Sequence, residues 1–402
     1  MLVVVMVMIA FLALYGLPQF IGYLAAAVAL LLLLPVAAGA CAGLIVLARY
    51  RRGAAGREDL YLELNRSRSA AAIESSAPHG VSSARRWLVR WMFGHDLVVG
   101  DLVEIKSWAE IHASLDERGC LGGMPFMPEM VTMCGQRARV FRSLHRIFDY
   151  RKTRRMRHME GAVLLAGVVC GGEHHGGCQA ACLTAWDSTW LRRVERGGTA
   201  WAWAAREEFP HGPPLPSFGT NAPHYNCQLT ELSAASKPID GWSLVDILRP
   251  LVSGNVAPAA FAVGWLTNFF NDIQHWRQGV AFPAFEAALK NTVPAEGQVL
   301  KAGDTVVVRW SAEIRATLTA QSLNRGLYFE PDMLKYCGHR ILVQAEVGRI
   351  IDIVSGEMRQ MKTPAYLLRD VRFTGERQLF NAQYEPLFWR SAWLRKDTAE
   401  SK

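Results

Sequence analysis

Residues 98–106, Val98-Val99-Gly100-Asp101-Leu102-Val103-Glu104-Ile105-Lys106, return later in the chain as Lys301-Ala302-Gly303-Asp304-Thr305-Val306-Val307-Val308-Arg309. Each stretch reads as a Gly-Asp turn that feeds a short strand. From Gly100 to Gly303 the offset is 203 residues, and the same offset carries Cys134-Gly135 onto Cys337-Gly338. It also carries Trp186, Trp190, Leu191 and Arg192 onto Trp389, Trp393, Leu394 and Arg395. Between those ends Glu110-Ile111, Phe126, Pro128, Met130 and Arg146-Ile147 recur as Glu313-Ile314, Phe329, Pro331, Met333 and Arg349-Ile350. Recurrence of so many different residue types at one spacing marks a duplicated module.

Within each copy the turn and strand are followed by a short helical pattern, Ala109 to Leu115 and Ala312 to Leu318, then by a Phe-x-Pro-x-Met segment and a Cys-Gly pair. Further apolar strands and a hairpin follow, the second copy carrying Ser355-Gly356 at its turn. The pattern predicts an α+β chain in which two tandem homologous β-rich modules of SH3-like-barrel type, residues 97–196 and 300–396, are separated by an irregular segment and a helical insert at 197–299. In that insert Phe261, Trp265, Leu266, Phe269, Phe270 and Ile273 share one helical face, a spacing that predicts a stripe turned to the core.

The first 48 residues contain no Asp, Glu, Lys, Arg or His, and Arg49, Arg51, Arg52 and Arg57 then arrive together. A bilayer core needs roughly 20 apolar residues in a helix. Phe20 to Ala48 exceeds that length, so residues 1–48 are expected to be a membrane anchor of one or two helices. Under the positive-inside rule the arginines place the rest of the chain in the cytoplasm, at a bacterial inner membrane. A cleaved signal peptide fits poorly, because a basic n-region is missing and the apolar stretch is too long. Residues 49–96 read as a polar linker ending in an amphipathic helix, Ala84 to Phe93, which lies either on an anionic membrane surface or against the first module.

Function is sought where the copies differ. The first carries Cys170, His175, Cys178 and Cys182, where the second has Phe373, Gln378, Asn381 and Glu385. A scaffold that tolerates those replacements does not need Cys and His for packing. Thiols in a cytoplasmic domain stay reduced, which turns clustered Cys and His toward metal or chemistry. Cys178 and Cys182, four apart, share a face if Gly176-Gly177 opens a helix that runs to Trp190. Cys227, in the insert, is positioned to add a further thiolate. Thiolate with imidazole suits zinc, and four thiolates suit zinc or an iron-sulfur cluster; the remaining alternative is a set of buried thiols without metal. A chemical alternative makes Cys178 a nucleophile with His175 as its base, in a redox or thiol enzyme.

The second difference is the basic run Arg151, Lys152, Arg154, Arg155 and Arg157, whose counterpart is close to neutral. At a hairpin tip it suits the anionic head groups of a lipid bilayer, a merely solvated charge run being the alternative. Nucleic acid is the runner-up partner, but no nucleic-acid motif accompanies the run, and a net charge of +8 is modest for a dedicated binder. Walker, dinucleotide-binding, nucleophile-elbow and zinc-protease motifs are absent.

The phrases His175-Gly176-Gly177-Cys178-Gln179-x2-Cys182 and Tyr225-x-Cys227-Gln228-x-Thr230-Glu231-Leu232 resemble those of an uncharacterised group of bacterial proteins without known activity. The resemblance spans most of residues 98–396 and implies only that Cys227 belongs with the first-copy cysteines. Together these readings give a metal-binding protein with a binding or assembly role, the redox or thiol enzyme and the membrane-tethered nucleic-acid binder standing as alternatives.

Overall fold

A computed structural model of the chain describes residues 83–194, 224–239, 244–283, 285 and 298–397. The expected anchor at 1–48, the linker that follows it and most of the Trp201–Asn226 stretch lie outside the described residues.

The strands of the first copy are β1 (Leu102–Ile105), β2 (Cys120–Leu121), β3 (Met124–Pro125), β4 (Arg137–Ser143), β5 (Arg146–Phe148), β6 (Met156–Met159), β7 (Ala162–Val169), β8 (Leu183–Asp187) and β9 (Leu191–Arg193). Strand β10 (Ser236–Pro238) follows and pairs antiparallel with β6. The second copy contributes β11 (Thr305–Val308), β12 (Leu323–Asn324), β13 (Leu327–Tyr328), β14 (Arg340–Ile351), β15 (Met358–Arg372), β16 (Pro386–Trp389) and β17 (Leu394–Lys396). One five-stranded sheet has the order β8-β7-β4-β1-β9 and another the order β16-β15-β14-β11-β17. The registers repeat: Val103 faces Ala138 and Val306 faces Ile341, each pair antiparallel.

Both sheets start from the quoted turn because Gly100 and Gly303 hold φ near +90°, where a side chain would be strained. The turn releases an alternating strand whose inward residues, Val103 and Ile105 or Val306 and Val308, are at most 1% exposed. Each copy then closes over its aromatics. Phe126 lies edge-on to Trp190 with centroids 5.3 Å apart, and Phe329 meets Trp393 in the same way at 5.1 Å. Truncating such a buried ring to Ala costs about 3–5 kcal/mol.

The α+β class with two SH3-like-barrel modules and a helical insert is corrected, while the transmembrane N-terminus that went with it lies outside the described residues. The described chain is mostly β, built of several sheets, and none of its described helices is long and apolar enough to cross a membrane. The longest, Pro258–Trp276, would reach about 28 Å at 1.5 Å per residue, but Asn268, Asn271, Asp272, Gln274 and His275 make it too polar.

The same helix corrects a second expectation. Phe261 stacks on Phe380 with centroids 5.3 Å apart, and Gly264 lets the Phe380 ring come close. Asn268 is buried and donates to the Glu376 carbonyl at 2.8 Å. Leu266, Phe269 and Ile273, read as core, instead lie on the exposed side with Trp276. Asn268 faces inward because the loop beneath offers a carbonyl that needs a donor.

Helix Ser83–Phe93 buries Val89, Met92 and Phe93 and leaves Trp87 and Trp91 exposed. Arg86 secures it by two 2.7 Å hydrogen bonds to the carboxylate of Asp101, the acid of the opening turn. Helix Leu244–Ser253 packs beside it, Val252 accepting from Arg85 at 3.1 Å.

Candidate metal centre

The Cys/His segment forms the loop between β7 and β8. Its ends are tied by Cys170 N–H donating to the Cys182 carbonyl at 2.8 Å. Gly172, at φ +73°, brings the chain back on itself so tightly that a Cβ there would stand 2.0 Å from the Cys178 carbonyl oxygen. The helix expected from Gly176 to Trp190 does not form. Gly176, Gly177 and Ala181 all hold positive φ, which breaks helical geometry, and β8 begins at Leu183. Cys178 accordingly has no helix N-terminus behind it.

This fold of the loop turns His175 inward while His174 stays exposed. His175 Nε2 lies 3.1 Å from Cys170 Sγ, and Cys170 Sγ lies 3.2 Å from Glu129 Oε1. Glu129 comes from the 3-10 turn Pro128–Met133, and its Oε1 stands 3.7 Å from His175 Nδ1, too far for a hydrogen bond. Ligand atoms of Glu129, Cys170 and His175 all lie within 4.8 Å of one another, and the group could hold a metal ion. His175 Nδ1 and Glu129 Oε2 are buried without hydrogen-bond partners. Orphaned polar atoms of this kind are rare and point to a missing partner.

Electrostatics favour ligation by a neutral imidazole. Burial lowers the His175 pKa, opposed by Glu129 and assisted by His174. Burial likewise pushes the Cys170 thiol far up, reinforced by Glu129 and Cys182. A bound cation would reverse that cost, because metal coordination stabilises thiolate.

The group opens on a cavity of about 50 Å³ also lined by Cys178, Cys182 and Cys227. That volume is large enough for an ion or a water. Four of the five sequence-derived cysteine and histidine positions thus arise from one loop, and Cys227 reaches them from the start of helix Gln228–Glu231. Their distribution is uneven. Cys170 and His175 join Glu129 in the close group, whereas Cys178, Cys182 and Cys227 line the adjoining wall. The thiol that His175 meets is Cys170, so the pairing of His175 with Cys178 is corrected.

Sequence reasoning missed Glu129. Its only signal was an acid at the same offset in both copies, Asp332 being the other, directly after a recurring proline.

In the second copy the loop is the same and the chemistry is different. Phe373 N–H donates to Glu385 O at 2.8 Å, and a Cβ on Gly375 would stand 2.0 Å from the Asn381 carbonyl oxygen. Burial raises the Glu385 carboxyl, at the place of Cys182, to about 7.

The basic run spans the turn from β5 to β6 and ends with Arg157 inside β6, the turn organised by Asp149 accepting from the amides of Arg151, Lys152 and Thr153. Two of its cations are committed internally. Arg151 bonds Glu231 at 3.1 Å and Arg157 bonds the Ser236 carbonyl and hydroxyl, while Lys152, Arg154 and Arg155 are exposed.

The chain matches no protein-family model and no curated protein.

Proposed function

We propose that this chain is a metal-holding protein with a binding or assembly role, in which Glu129, Cys170 and His175 ligate zinc. One observation carries the reading: three donors of the types zinc takes converge within 4.8 Å, and two of their buried atoms lack partners. Three ligands leave a fourth position toward the cavity. An iron-sulfur cluster is less well served, because two of the three converging donors are not thiolates. The bound ion would brace the β7–β8 loop, whose outer side grips the second copy: Gln179 Oε1 accepts from the amides of Gly348 and Arg349 at 2.7 and 3.1 Å. Metal affinity would then be part of the folding free energy of that contact.

A thiol enzyme has one observation in its favour, the 3.1 Å approach of Cys170 Sγ to His175 Nε2. Burial opposes it, since the raised thiol and lowered imidazole form a neutral pair rather than a thiolate nucleophile. The deciding experiment is elemental analysis and an absorption spectrum of anaerobically purified full chain. Zinc that disappears in a Glu129→Gln, His175→Asn double variant supports the reading. Metal-free protein whose Cys170 is modified rapidly by iodoacetamide would replace it with the thiol enzyme.

A further inference from the structure

Exposed large apolar side chains are unevenly spread among the described residues. Eight of the thirteen lie on three helices, Ser83–Phe93, Leu244–Ser253 and Pro258–Trp276. Four of these are aromatic and open to solvent: Trp87 is 66% exposed, Trp91 64%, Phe269 63% and Trp276 87%. Tryptophan is on average a highly buried residue, and apolar side chains gathered on one surface mark an interaction site.

The first and last of these helices each keep a second, buried side. Val89, Met92 and Phe93 pack toward the first copy, and Trp87, Leu88 and Trp91 recur at helical spacing on the opposite side. On Pro258–Trp276 the inward side carries Gly264 and Asn268 against residues 376–380, and Phe269, Ile273 and Trp276 share the outward one. Helix Leu244–Ser253 touches both neighbours and exposes Leu248, joining the outer sides into one layer.

The layer is also cationic. Arg86 is matched by Asp101, and Arg249 by Asp246 at 2.8 Å, which leaves Arg85, Arg90 and Arg277 against Asp272. Its place in the chain points the same way. Helix Ser83–Phe93 begins 34 residues, 49–82, after the uncharged residues 1–48, so a chain anchored by that segment holds this helix beside the bilayer. Such tethering lets even a weak surface contact form, because it raises the local concentration of the partner.

We infer that the outer sides of the three helices dock on the head-group region of an anionic lipid bilayer. Trp rings settle at that depth, their N–H toward water and their apolar bodies toward the acyl chains, while Arg side chains reach the lipid phosphates. None of the three helices is long and apolar enough to cross the bilayer, and they lie along it instead. Both expectations for helix Ser83–Phe93 are then met at once, one side packing on the first copy and the other on lipid. The inference is independent of the metal centre.

The test uses the full chain in lipid nanodiscs, made of phosphatidylcholine alone or mixed with phosphatidylglycerol, with hydroxyl-radical oxidation of single side chains read by mass spectrometry. In the anionic discs Trp87, Trp91, Phe269 and Trp276 should be oxidised several-fold more slowly than in the neutral ones, and high salt should restore part of the rate. Trp310, exposed on the second copy, should be oxidised equally in both. Arg90→Glu, at an exposed position, should speed oxidation of Trp87 and Trp91 in the anionic discs. Fast oxidation of the four aromatics in both kinds of disc would overturn the inference. Slow oxidation indifferent to lipid charge and salt would overturn it too, giving the layer to another part of the chain, a second copy or a protein partner. So would a chain that associates with neither disc. Because the unaltered protein alone decides between these outcomes, a variant that fails to fold does not blunt the test.

Discussion

Gln179 donates its amide proton to the carbonyl of Arg349 at 3.1 Å, and the same bond returns with the copies exchanged, Ala382 N–H donating to Arg146 O at 2.8 Å. Gln179 and Ala382 are 203 residues apart, as are Arg146 and Arg349. Each copy therefore lays its β7–β8-type loop on the hairpin of the other, the reciprocal arrangement of a two-fold contact made within one chain. Copy one carries its thiols on this contact, and copy two repeats the contact without them.

Chelation should consequently be felt on one side of the exchange. Hydrogen exchange of metal-loaded protein, followed after adding chelator, should rise at residues 170–182, 227–232 and 348–351. Residues 373–385 should change little. Equal loosening of both loops, or none, would remove the bracing role of the metal.

The glycines at the loop necks should be irreplaceable in both copies. Gly172→Ala and Gly375→Ala each put a methyl 2.0 Å from a carbonyl oxygen at positive φ, and should each cost well over about 1 kcal/mol by denaturant unfolding. Gly100→Ala and Gly303→Ala, with open space around the added carbon, should cost only the φ penalty of about 1 kcal/mol. Only the Gly172 variant should lose metal. Metal retained in full by Gly172→Ala would detach the loop shape from the site.

The basic hairpin should divide into structural and free charges. Neutralising Lys152, Arg154 and Arg155 should leave stability within about 0.5 kcal/mol and weaken salt-dependent binding to anionic vesicles. Arg157→Ala, which breaks bonds to Ser233 and Ser236, should instead cost roughly 1–3 kcal/mol. Vesicle binding indifferent to the first three changes would make the run a solvated turn.

Acid should weaken the fold through His145. The ring is fully enclosed against Phe93, and burial, followed by Arg146, Arg249 and His158, holds its pKa well below the ordinary value. The folded state thus stays neutral while the unfolded state takes up a proton near pH 6.5. Stability contributed by the neutral ring is full above that pH and falls as pH drops below it, by up to about 1.4 kcal/mol per pH unit. His145→Phe should flatten the acid side of the stability profile by one proton. An unchanged slope would assign the acid sensitivity to other groups.

Much of this was legible in the residues. The offset of 203, the uncharged first 48 residues and the Cys/His difference between copies are properties of the sequence alone. Local rules also explain the opening turns, because Gly-Asp before an alternating strand acts through φ and side-chain period, which need no distant partner.

Tertiary structure decided the rest. Periodicity detects an apolar stripe on Pro258–Trp276 but not which side the protein covers; a carbonyl at Glu376 drew Asn268 inward and turned Phe269 out. Spacing of four placed Cys178 and Cys182 on one helical face, yet the positive φ of Gly176, Gly177 and Ala181 prevented the helix, and the loop gave His175 to Cys170 instead. Glu129 stands 41 residues before Cys170 and meets it only because the Pro128–Met133 turn packs against the end of β7. Sequence determines which donors exist and where the chain can turn. Which donors share a cavity is set by long-range packing, whose energy depends on surfaces that do not exist until the chain has folded.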